Sequence, residues 1–81
     1  MKLNNEQNAA FMNDPRRVGA EQELHRIVED IRAQLQFPGT AQYYLTVLPP
    51  RLKELEKASE NLNVIEATIE AEILGKERYH G

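Results

Sequence analysis

Leu48, Leu55, Leu62 and Ile69 recur every seven residues. A repeat of that period keeps its side chains together only on a helix, where positions seven apart return to one face. Ala58 and Ile65 follow Leu55 and Leu62 by three residues, and Leu52 and Ile73 widen the stripe. The resulting pattern is the face of a helix packed into a bundle. Pro50 suits the first helical turn, and Pro49 pushes Leu48 out of helical geometry. Gly75 supplies the left-handed residue that commonly closes a helix. These signals predict a long helix over 50–75, with Lys76 and Arg78 beyond it, near the negative end of its dipole.

The rest of the chain supplies elements for this helix to pack against. A short helix is expected over 4–13, capped by Asn4 or Asn5, with Glu6 in its first turn and Phe11 and Met12 as docking anchors. Asp14-Pro15 restarts the chain as a cap and a first helical residue. A second helix follows over 15–36, with Val18, Leu24, Ile27, Val28, Ile31 and Leu35 at helical spacing. Gly19 weakens its first turns, so Ala20 is an alternative start. Phe37-Pro38-Gly39-Thr40 ends it. Residues 40–48 contain strand-favouring Tyr, Thr and Val, but a lone strand has no partner in a helical chain. A connector helix capped by Thr40 fits better. Tyr43 and Tyr44 are adjacent and cannot both face one core, so one of them belongs at a boundary or a cleft.

The fold class expected is all-α: a short N-terminal helix plus a long helical hairpin with a Pro-bounded connector, in one domain of 81 residues. A chain this short has a marginal core, and small domains gain support from disulfides, metals or oligomerisation. There is no cysteine, which removes disulfides and thiolate zinc sites together. Val64, Ala67, Ala71 and Leu74 form a second apolar strip that a two-helix hairpin cannot cover along with the first. The expectation is an oligomeric helical bundle, with Leu55, Leu62, Ile65, Ile69 and Ile73 as the interface between subunits.

No catalytic constellation can be argued. Ser59, the single serine, sits on a helix seam, and there is no Gly-rich phosphate loop. Glu21, His25 and Glu29 share a helix face, but that spacing reads as a solvated face with i, i+4 pairs rather than a metal site. No metal, cofactor or enzymatic activity is expected. Net charge is −3, which argues against a nucleic-acid binder. No apolar run approaches the ~20 residues of a membrane span, and the N-terminus lacks a signal-peptide core. Glu60, Glu66, Glu70 and Glu72 make the second half of the long helix acidic, a face for solvent or for a basic partner. If the hairpin folds back near Pro38–Pro50, Arg32, Arg51 and Lys53 gather beside Tyr43 and Tyr44. Bidentate guanidinium donors with a stacking ring would suit a phosphate-bearing ligand with a flat base.

The layout of Phe11 and Pro15, Ile31-Arg32, and then Pro50, Lys53-Glu54, Ala58, Leu62 and Ile73 covers most of the chain. It resembles the small phage proteins that sequester cyclic nucleotides and so blunt CBASS immunity, although the family's late Trp segment and N-terminal His are absent. The resemblance implies a cytoplasmic helical oligomer, in the host cell if phage-encoded, that binds cyclic di- or trinucleotides without cleaving them. The residues themselves support a broader expectation. That is a non-enzymatic helical oligomer acting by binding, of the interaction-protein kind; taken with the resemblance, it implies a phage-type inhibitor with a host protein or a cyclic nucleotide as its partner. A small structural subunit of a larger assembly is the third alternative. The candidate binding residues are Phe11, Arg32, Tyr43, Tyr44, Arg51 and Lys53.

Overall fold

The computed structural model describes the backbone of residues 3–80 and the side chains of residues 3–75. Among these residues the protein is all-α, with helices α1 (Asn5–Met12), α2 (Pro15–Leu35) and α3 (Ala41–His80). Each start is set by a local cap. Asn4 Oδ1 accepts from the Gln7 amide at 2.8 Å, and Gln7 Oε1 accepts from the Asn4 amide at 3.0 Å, a reciprocal box that satisfies two orphan donors. Asp14 Oδ1 accepts from the Arg16 amide at 2.9 Å, with Pro15 in the first turn. The second helix therefore begins at Pro15 and not at Ala20. Thr40 Oγ1 accepts from the Tyr43 amide at 3.1 Å, so residues 41–48 are helical. No described helix is long and apolar enough to cross a membrane.

Two sequence expectations are corrected. The connector helix and the long helix are one element, because α3 runs through both Pro49 and Pro50. A proline inside a helix costs about 3 kcal/mol or more, through a lost hydrogen bond and a clash with the carbonyl four residues back. The carbonyls affected belong to Leu45 and Thr46, both exposed residues, so water can take the place of the missing donors. Continuity keeps Tyr44, Val47 and Leu48 half-buried in line with Arg51 and Leu55, whereas a break at Pro49 would peel them off. The second correction is Gly75, which does not end the helix. It has no positive φ, and α3 continues to His80. The side chains of Lys76 and Arg78, expected to act on the helix end, lie outside the described residues.

A consequence can be measured. A Cβ added at Gly19 or at Gly75 meets nothing within 4 Å. Both residues sit in helical backbone, so Gly19→Ala and Gly75→Ala are each expected to stabilise the protein by about 0.5–1 kcal/mol, read from the denaturant midpoint. A loss of stability in Gly75→Ala would restore its reading as a left-handed stop.

α2 and α3 are antiparallel. Arg16 reaches Glu72 and Arg17 reaches Glu66 at one end, while Ile27 and Ala58 line one groove further along. At 1.5 Å per residue α2 is about 31 Å long and α3 about 60 Å, and the longest dimension of the molecule is 61 Å, against 18 and 17 Å for the others. Eight residues beyond Ile27, α2 ends about level with Pro50. The chain must then travel roughly 13 Å further to reach Ala41, which five extended residues can span. Residues 36–40 therefore run back along 41–48, making a finger of helix plus connector that α2 does not cover.

The half-buried positions of α3, from Leu48 through Leu55, Ala58, Leu62 and Ile65 to Ile73, trace the face turned toward the rest of the chain. Ile69 on that face is 2 % exposed. Ala20, Ile27 and Ile69 make the buried apolar core among the described residues, and no large side chain is fully enclosed. Of the seam residues expected to join subunits, Ile69 is enclosed within the one chain, and Leu55, Leu62, Ile65 and Ile73 are half-buried in it. A single hairpin has to bury this stripe before anything else can.

Candidate functional site

Most of the large exposed apolar side chains lie in the hairpin finger or in the turns of α2 and α3 next to it. Phe37 is 71 % exposed, Leu45 69 %, Leu52 52 % and Leu35 50 %. Phe37 and Leu45 are exposed because α2 stops short of the finger, and Leu35 and Leu52 because they sit at the edge of it, off the inward faces of α2 and α3. Tyr44 fixes its shape: its hydroxyl accepts from the Gly39 amide at 2.9 Å and donates to the Phe37 carbonyl at 3.3 Å. Gly39 is needed for this approach and not for its φ, since a Cβ there would lie 3.0 Å from the Tyr43 ring and 3.3 Å from the Tyr44 ring. The two tyrosines meet edge to face at 5.5 Å. Tyr43 is the one left at a cleft, a small hollow of about 160 Å³ that it lines with Gln34, Phe37 and Pro38. The Gln34 Oε1 atom is buried there without a hydrogen-bond partner.

The cationic part of the expected ligand site is not assembled. Arg32 bonds Glu29 at 3.1 Å, and Arg51 bonds Glu54 at 2.9 Å, each within its own helix. Arg32 opens onto a groove with Glu29, Ala33 and Gln36, which shares only Ala33 with the cleft of Tyr43. Lys53 is exposed on α3. Glu21, His25 and Glu29 do not converge either: Glu21 bonds Arg17 and Glu29 bonds Arg32.

At the other end, Phe11 is a packing residue. The guanidinium of Arg17 lies 5.9 Å from the centre of its ring, a cation–π arrangement. The Arg17 side chain is 7 % exposed and also pairs with Glu21 and, at 3.3 Å, with Glu66. The Arg17 Nε points off line for a hydrogen bond to Glu66, so the attraction there is that of charge. Arg17 therefore ties α1, α2 and α3 together. The sequence held one signal for this: Arg17 falls in register with Ala20, Leu24, Ile27 and Ile31 on the inward face of α2. Met12, the other expected anchor, is 45 % exposed.

The acidic face is partly engaged as well. Arg16 makes two hydrogen bonds to Glu72, at 2.9 and 3.1 Å, and also bonds Asp14. Those side-chain bonds, Asp14 first, raise the Arg16 pKa, and the Arg16 guanidinium in turn holds the Asp14 carboxyl below its ordinary value. Along the hairpin, Glu23, Arg26, Ile27, Glu54, Lys57 and Ala58 line an open groove of about 390 Å³. Arg26 bonds Glu23 at 2.6 Å and Asp30 at 3.2 Å. The Arg26 hydrogen bond lowers the Glu23 pKa, and Glu23 raises that of Arg26. One side of the hairpin is thus laced with ion pairs, and the finger remains the apolar surface open to a partner. No family model, curated protein or solved structure matches this chain.

Proposed function

We propose that this protein is a non-enzymatic interaction protein that works as a small helical oligomer and acts by binding a macromolecular partner. The observation that carries the reading is the apolar surface of the finger, with Phe37 and Leu45 each about 70 % exposed beside a core of three small or medium side chains. Monomeric proteins rarely leave a contiguous apolar surface of this kind without a use for it in association. The ionic groups support the same reading from the other side, because Arg16, Arg17, Arg26, Arg32 and Arg51 each face a carboxylate of the same chain. The resemblance to phage anti-CBASS proteins supports placing the partner in the host cell.

Light scattering at high micromolar concentration tests the oligomer. The expected mass exceeds the 9.3 kDa of one chain, and a clean monomer would sink the reading. A melting panel with cyclic di- and trinucleotides tests the mode of action, since a ligand bound to the native state raises Tm by mass action. The proposal expects no shift at millimolar nucleotide, and a clear rise would replace it with ligand sequestration.

A further inference from the structure

The exposed leucines of the finger fall into one register that no break at Pro49 would allow. Leu45, Leu48, Leu52 and Leu55 follow one another at spacings of three, four and three residues along continuous α3. That is the a/d repeat of a coiled-coil seam. Leu48 and Leu55 are half-buried toward α2, while Leu45 and Leu52 project to one side of it. At about 100° per residue, Val28 and Leu35 of α2 lie on the same side of the hairpin as Leu45 and Leu52. The groove of Glu23, Arg26, Glu54 and Lys57 lies on the opposite side. Toward the far end, the apolar side is closed off by the Arg17–Glu21–Glu66 cluster. The result is an apolar patch confined to the finger half, backed by an ion-paired groove.

Resting on the oligomer reading above, we propose that this patch is the contact between two copies of the chain. Leu45, Leu52 and Leu35, flanked by the edges of Leu48 and Leu55 left open in one chain, pack on the same residues of a second copy about a two-fold axis, so that the two finger halves overlap. The chain exposes 6363 Å², roughly 1400 Å² more than a compact chain of its mass. A standard interface removes about 800 Å² from each partner, which this excess can supply. A heptad leucine strip is also its own complement, as a two-fold contact requires. The second copy covers the side of the finger, and of the adjoining turns of α2 and α3, that one hairpin leaves open.

The test is a variant series on the full chain. The wild type is expected at the mass of two chains or a whole number of such pairs. Leu45→Glu combined with Leu52→Glu is expected to give single chains with helical circular dichroism intact, because both side chains are more than half exposed in one hairpin. Val64→Glu, 61 % exposed on the outer side of α3, is expected to leave the mass unchanged. A wild-type oligomer that survives the double variant, or an odd-numbered assembly, overturns the proposed face while leaving the oligomer reading standing. A wild-type monomer overturns both. If the double variant fails to fold, the absence of native cysteine allows a second readout. Leu52→Cys is expected to form a covalent dimer under mild oxidation and Val64→Cys is not, and equal crosslinking of the two overturns the proposal.

Discussion

Ile69→Ala is expected to cost about 2–4 kcal/mol, because deleting a buried Ile loses transfer energy and leaves a cavity. Ile69 is 2 % exposed, the most enclosed of the apolar core residues, and it sits where α3 meets α1 and the start of α2. A chain of this size has a total stability of roughly 4–12 kcal/mol, so the loss removes a large share of it. At about 4–8 °C per kcal/mol, Tm is expected to fall by about 8–32 °C at fixed protein concentration. Val64→Ala, on an exposed position of the same helix, is the control and is expected to stay within about 0.5 kcal/mol of wild type. The same pair separates the two roles argued for the seam. If Ile69 belongs to the single-chain core, the variant's mass in solution follows that of wild type for as long as it stays folded. Equal melting temperatures in the two variants, with a fall in mass for Ile69→Ala alone, would return Ile69 to a subunit interface.

Arg17→Ala is the second large effect expected. The side chain is 7 % exposed, and its loss leaves Glu21 and Glu66 facing each other without their shared cation. Breaking a fully buried ion pair costs roughly 3–5 kcal/mol. Here the carboxylates are about a third exposed, so water takes part of the load and the expected cost is about 1–3 kcal/mol. Arg17→Met keeps the aliphatic volume against Phe11 and is expected to recover part of the loss, while Arg17→Lys keeps the charge but not the fork that reaches both carboxylates. Amide exchange gives a local readout. No residue of α1 is buried, and the Phe11–Arg17 contact is a principal link of that helix to the rest of the chain. Exchange over 5–12 is therefore expected to accelerate in Arg17→Ala more than exchange at the centre of α3. Unchanged protection of α1 would show that Arg17 does not hold it.

The capped helix starts were legible because caps are local, whereas the start read at Pro50 lies inside α3. Asn4, Asp14 and Thr40 each bond an amide two or three residues on, so residue type and spacing suffice. The inward face of α3 was legible from its heptad for the same reason, since periodicity is carried within one helix. The all-α class followed from these two signals. The candidate site was less legible. Tyr43 at a cleft could be argued from its adjacency to Tyr44, but the hydroxyl of Tyr44 on the connector backbone depends on how far α3 overshoots α2. The pairing of Arg32 with Glu29 and of Arg51 with Glu54 follows i, i+3 spacing that was present in the sequence and outweighed there by their nearness to the tyrosines.

By itself, then, the sequence determined the all-α class, the caps at Asn4, Asp14 and Thr40 and the apolar stripes that α2 and α3 turn inward, but not the number of helices. Tertiary structure decided three further matters. It decided that Pro49 and Pro50 do not break α3, because the local cost of a proline competes with packing on both sides of it, and that balance is set across the hairpin. It decided that Arg16 and Arg17 engage Glu72 and Glu66, pairings between residues far apart in the chain that no spacing rule encodes. It also decided which apolar surface stays open. Leu62 and Ile69 turn toward the rest of the same chain, and the leucines left open are Leu45, beyond the end of α2, and Leu35 and Leu52 at the edge of the finger.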